Sequence, residues 1–73
     1  MDLKHILSTN LRRIRNERGH TQEEMADRLG VSLRYLGSIE RAKVSPSVTK
    51  LGQFAAALNI SPCDLISEVG RKR

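Results

Sequence analysis

The chain has one cysteine, no tryptophan, one phenylalanine, one tyrosine and two prolines among 73 residues. A single cysteine closes no internal disulfide, so no such staple holds this small fold, and a reducing, cytoplasmic setting is expected. The scarcity of aromatic rings argues against a single-strand nucleic-acid binder built on stacking platforms, which needs several exposed rings. No run approaches the ~20 apolar residues of a membrane span. The start, Met1-Asp2-Leu3-Lys4-His5, has neither the apolar stretch nor the cleavage site of a signal peptide. His5, His20 and Cys63 are scattered without metal-ligand spacing, so no metal or other cofactor is expected. There is no Ser/His/Asp set, no close carboxylate pair and no phosphate-binding glycine loop, so the chain does not read as an enzyme.

Acidic residues are the minority charge: eight Asp and Glu stand against thirteen Lys and Arg, a formal net charge of +5. That excess favours polyanionic partners, nucleic acid first and an anionic membrane surface second. The length predicts one domain over residues 1–73, with a small core that buries roughly 60% of the unfolded surface.

Sustained two-residue alternation is absent, whereas helical periodicity recurs five times between short punctuated gaps. Leu7, Leu11 and Ile14 mark the first helix, with Leu3 and Ile6 extending the stripe and Arg18-Gly19 closing it. Thr21-Gln22-Glu23-Glu24 fits a capping box that opens the second helix, which carries Met25, Ala26 and Leu29 and stops at Gly30. Ser32 caps the third, where Leu36 and Ile39 point inward and Arg34, Gly37, Ser38 and Arg41 share the opposite face. Ala42 to Pro46 read as a loop. Ser47 caps a fourth helix with Val48, Leu51, Phe54, Ala55 and Leu58 on one face, and Asn59 suits its left-handed end. Ser61-Pro62 opens a fifth helix, expected over 61–69, before the basic tail Arg71-Lys72-Arg73.

Residues 21–41 form a helix, a tight turn at Gly30-Val31-Ser32 and a second helix: a helix-turn-helix. The small Ala26 and the turn glycine let the two helices cross steeply. The second helix then projects a polar face of a size that fits the major groove of B-DNA.

Thr21 to Ser32, followed by Tyr35-Leu36 and Ile39-Glu40-Arg41, resembles the phage Cro and repressor-type (Xre-type) DNA-binding domains. The likeness starts at Leu11-Arg12-Arg13-Ile14-Arg15 and runs on through Pro46-Ser47 to Ala57-Leu58-Asn59-Ile60-Ser61. It implies an all-α, five-helix, lambda-repressor-like domain that binds double-stranded DNA and regulates transcription by occupying an operator. Phage repressors, restriction–modification controller proteins and antitoxin-type regulators all fit that description.

The resemblance further implies roles residue by residue. Thr21 and Gln22 would stand at the DNA backbone, and Ser32, Leu33, Arg34 and Ser38 would face the groove. Arg34 is the main specificity candidate, since its fork matches guanine O6 and N7, while Leu33 suits a thymine methyl. Tyr35, Arg41, Lys43 and the Ser47 amide are candidates for phosphates. Arg15 and Glu40 would form a buried ion pair. Three residues depart from the family pattern: Ala42 where Gly is usual, His20 where Leu is common, and Gly37 inside the third helix.

Proteins that use this motif commonly bind two half-sites as symmetric dimers. Ile60, Leu65, Ile66 and Val69 are more apolar surface than so small a domain is expected to cover, so a homodimer through the fifth helix and the end of the fourth is expected. RNA polymerase is the further partner an activator would contact. The alternative class is an antitoxin-type interaction module whose DNA binding is autoregulatory.

Overall fold

The computed structural model describes residues 2–68. Five helices follow one another: α1 (Leu3–Glu17), α2 (Gln22–Leu29), α3 (Leu33–Glu40), α4 (Val48–Leu58) and α5 (Cys63–Ile66). No strand occurs among the described residues.

The helix starts follow from short polar side chains. Asp2, Thr21, Ser32 and Ser47 each sit in extended backbone and accept a hydrogen bond from an amide of the first turn they precede. At Thr21 the exchange is reciprocal: its hydroxyl accepts from the Glu24 amide at 3.1 Å and the Glu24 carboxylate accepts from the Thr21 amide at 2.8 Å.

The first four helices stop by one shared device. In each, a residue in the left-handed region donates its amide back to the carbonyl three residues earlier, and the next residue donates to the carbonyl five residues before it. These are Schellman ends. The left-handed positions are Gly19, Gly30, Ala42 and Asn59, with φ of 72°, 72°, 59° and 60°. Two are glycine and one is asparagine, which tolerate this conformation. Ala42 has a Cβ and is strained there, so the departure from glycine noted in the sequence has a structural cost.

The core is built from Leu7, Leu11 and Ile14 of α1, Met25, Ala26 and Leu29 of α2, Leu36 and Ile39 of α3, Phe54, Ala55 and Leu58 of α4, and Leu65 of α5. α1 packs on α3 and α5, and α2 packs on α3 and α4. Val31, in the turn between α2 and α3, closes over this core.

The C-terminal end differs from the expectation. α5 is only four residues long, and Ser67 returns to extended backbone. Leu65 is fully buried within the single chain, so it is core and is withdrawn from the dimer surface. Its placement is secured by Asn10, a buried amide on the apolar stripe of α1, whose Nδ2 donates to the carbonyls of Leu65 at 2.9 Å and Ser67 at 2.7 Å. Ile60 is half-buried against the core at the end of α4. Only Ile66 of the proposed set is exposed, and Val69 lies outside the described residues. At the other end, Leu3 and Val48 were expected to extend apolar stripes, yet both are exposed, because no described segment lies over the first residues of α1 and α4.

Candidate nucleic-acid interface

α2 and α3 are joined at Gly30, Val31 and Ser32, and the crossing presents the outer side of α3 to solvent. Ser32, Leu33 and Arg34 at its start are exposed, Ser38 is half-buried, and Arg41 is exposed at its end. Leu33 is 44% exposed, an apolar side chain at the leading tip of the helix with nothing in the chain to cover it. Tyr35 is half-buried and packs against the core. The Ser32 hydroxyl is engaged in capping, accepting from the Tyr35 amide at 3.0 Å.

Arg34, Arg41 and Lys43 make no side-chain hydrogen bond or ion pair among the described residues, so three cations with free donors stand on or just beyond α3. The lysine follows directly from the Schellman end: the Lys43 amide donates to the Ser38 carbonyl at 2.9 Å, so its backbone is held while its side chain is exposed. Ser47 opens α4 nearby in sequence, its hydroxyl accepting from the Lys50 amide at 3.0 Å.

The helix N-termini are not equivalent toward anions. Each carries the positive end of its dipole and unpaired amides. The first turns of α3 and α4 contain no acidic residue, which suits a phosphate. The first turn of α2 carries Glu23 and Glu24, and the Glu24 carboxylate already holds the Thr21 amide. Negative charge at that end opposes an approaching phosphate, so α2 offers a poorer anion seat than its capping motif alone suggests.

Behind α3 lies a polar knot. Glu40, 3% exposed at its side chain, accepts from Arg15 Nε at 2.8 Å and Nη2 at 3.2 Å, and from Gln22 Nε2 at 2.9 Å. Arg15 Nη1 also donates to the His20 carbonyl at 3.1 Å. The Ser8 hydroxyl donates to the Glu40 backbone carbonyl. One carboxylate thus ties α1, the entry to α2 and the end of α3 into a fixed relative geometry. Gln22 is turned inward by this bond: one of its amide hydrogens is taken, and only the second, with its backbone N–H, remains for an outside acceptor.

Several of these positioning residues have no motif that announces them. Asn10 and Ser8 carried one usable sign, a polar residue beside the apolar stripe of a helix, which must find a buried partner. Arg18 is another. Its Nη2 donates to the Leu58 carbonyl at 2.7 Å, satisfying a C-terminal carbonyl of α4 with a cation.

Among the described residues no group of three His, Cys, Asp or Glu is placed to hold a metal ion. No helix there is long and apolar enough to cross a membrane.

A sequence model of the helix-turn-helix family matches residues 11–65. The chain is 40% identical over 67 residues to an uncharacterized HTH-type transcriptional regulator of Sinorhizobium fredii, covering 92% of this chain and 87% of that one. It is 38% identical over 72 residues to the control protein C.SmaI of Serratia marcescens, covering 99% and 86%. Its fold superposes with a TM-score of 0.78 on the restriction-modification controller protein C.AhdI of Aeromonas hydrophila, at 31% identity over 85% of this chain and 94% of that one.

Proposed function

The chain belongs to the helix-turn-helix family of DNA-binding transcriptional regulators, and from that membership we propose that it regulates by occupying an operator, with α3 seated in the major groove. The observation that carries this reading is the outer side of α3. A helix held rigidly from behind by the Glu40 knot exposes Leu33 and an unpaired Arg34 at its N-terminal end, where this motif reaches base edges. Arg34 is the base-reading residue, through the two guanine acceptors, and Leu33 meets a thymine methyl. Arg41, Lys43 and the N-termini of α3 and α4 set register on phosphates.

The protein acts as a homodimer in this proposal. Of the four large apolar side chains exposed among the described residues, one is Leu33 on α3. The other three, Leu3, Val48 and Ile66, line one groove together with Leu7, Pro46 and Leu51. No residue of α2 or α3 lines it, so a second copy seated there leaves both recognition helices free. Two copies of a molecule measuring 33 × 23 × 20 Å can place their α3 helices one DNA turn apart, about 34–36 Å. The sequence likeness to C.SmaI and the structural likeness to C.AhdI support a regulator of that kind.

Selection of bound duplexes from a random pool tests the whole reading. A pair of inverted half-sites, one turn apart centre to centre, is the expected product. Recovery of sequences with no shared half-site would overturn it.

A further inference from the structure

Gly37 sits in the middle of the recognition helix, where glycine weakens a helix relative to alanine. The position is buried, although it lies on the polar side with Arg34, Ser38 and Arg41. Apart from its chain neighbours and the backbone of its own helix, the three atoms nearest to a Cβ built there all belong to the Arg41 side chain, Nη1 at 3.1 Å, Cζ at 3.9 Å and Nη2 at 4.0 Å. The arrangement follows from helix geometry: side chains lean toward the N-terminus, so residue 41 lies over residue 37, one turn back. With no side chain at 37, the guanidinium can lie flat in the gap against the helix instead of extending away from it.

We propose that Gly37 is a positioning residue for DNA binding: it provides the notch that holds the Arg41 guanidinium along the outer side of α3, pre-aimed at a phosphate on the groove wall. This rests on the reading above that α3 enters the major groove. Arg41 has no carboxylate or carbonyl partner among the described residues, so its donors are available to an incoming anion. A planar fork suits a phosphate oxygen pair. Holding the side chain before binding removes part of the ordering cost of a long, flexible arm. Glycine at 37 thus exchanges helix propensity for the placement of a cation.

The test is a double-mutant cycle between positions 37 and 41. Binding is measured against salt, on a duplex recovered by selection and on a scrambled duplex of equal length. Arg41→Ala is expected to weaken both duplexes alike and to make the salt slope shallower by about two units for the dimer, one phosphate contact being lost from each subunit. Gly37→Ala should raise the melting temperature or leave it unchanged, since alanine is the better helix former and the end of the flexible Arg41 side chain can give way, and Gly37→Leu is the larger probe of the same gap. In the parent background they should weaken binding and flatten the salt slope, leucine more than alanine, because the larger group fills more of the notch. In the Arg41→Ala background they should do neither.

If the Gly37 variants weaken binding equally in both backgrounds, the glycine serves close approach of the DNA itself and the proposal is wrong. If Arg41→Ala lowers stability but leaves affinity and slope intact, Arg41 only complements the helix dipole, and the proposal is likewise wrong. Arg34→Ala separates the two levels. Should it weaken the selected duplex while positions 37 and 41 act independently, only this inference fails. Should Arg34→Ala and Arg41→Ala both leave binding intact, the groove reading fails with it.

Discussion

Arg15 holds Glu40 by two of its nitrogens, at 2.8 and 3.2 Å, across 25 residues of sequence and from the first helix to the last residue of the third. The side chains are 17% and 3% exposed. A charge pair so removed from water adds little net stability over an apolar pair, but it is costly to break from one side. Because Glu40 also receives Gln22 and Ser8, the pair is the point at which the orientation of the recognition helix is set.

Arg15→Ala therefore leaves a buried carboxylate with a single amide donor. It should lose about 3–5 kcal/mol of folding stability, a large share of the roughly 4–11 kcal/mol expected of a 73-residue domain. Urea denaturation followed by circular dichroism measures it. A loss under about 1 kcal/mol would show that water reaches the carboxylate and that the knot is not the frame described.

Ala42 occupies a left-handed Schellman position at φ 59°. Ala42→Gly should relieve the Cβ strain, offset in part by the greater freedom glycine has when unfolded, for a net gain of about 0.5–1 kcal/mol. In a domain of this size that raises the melting temperature by about 2–8 °C. Ala42→Val should lower it, since a branched side chain fits φ > 0 less well still. A scanning-calorimetry result in which glycine is the less stable would contradict the strain argument.

Variants at Arg34 and Lys43 distinguish the proposed base reading from the proposed phosphate contact. Arg34→Ala should cost about 1–3 kcal/mol on the selected duplex and little on scrambled DNA. Lys43→Ala should weaken both duplexes similarly and reduce the salt slope by about two units for the dimer, one from each subunit. Fluorescence anisotropy over a salt series gives both quantities. Equal losses on the two duplexes for Arg34→Ala would remove it as a base reader, and an unchanged slope would remove Lys43 from the phosphate set.

Adjacent residues of α5 should behave oppositely. Leu65→Ala opens a cavity in the core and should lower stability by about 2–5 kcal/mol. Ile66→Asp and Val48→Asp place charge in the exposed apolar groove. They should leave the single chain folded, yield a monomer by sedimentation and weaken operator binding. A dimer that persists in both aspartate variants would place the interface elsewhere.

What the chain determines locally is legible in the order of its residues. The capping residues Thr21, Ser32 and Ser47, the left-handed Gly30 and Asn59, and the inward pair Leu36 and Ile39 act within one helical turn. Their partners lie three to five residues away along the chain, so spacing alone reveals them. That is why the five helices, and the polar side of the third, could be read from residue order.

What tertiary structure alone decided is which segment covers which face. Periodicity assigns an apolar stripe but does not say where its cover ends. Leu65 proved to be core and Ile66 surface, and the stripes of α1 and α4 continue to Leu3 and Val48 with nothing over them. The same holds for polar partners far apart in the chain: Asn10 reaching Leu65 and Ser67, Gln22 turning to Glu40, and Arg18 closing the end of α4. A hydrogen bond across 18 to 57 residues depends on how whole helices dock, and docking is set by the summed packing of the core rather than by any local preference.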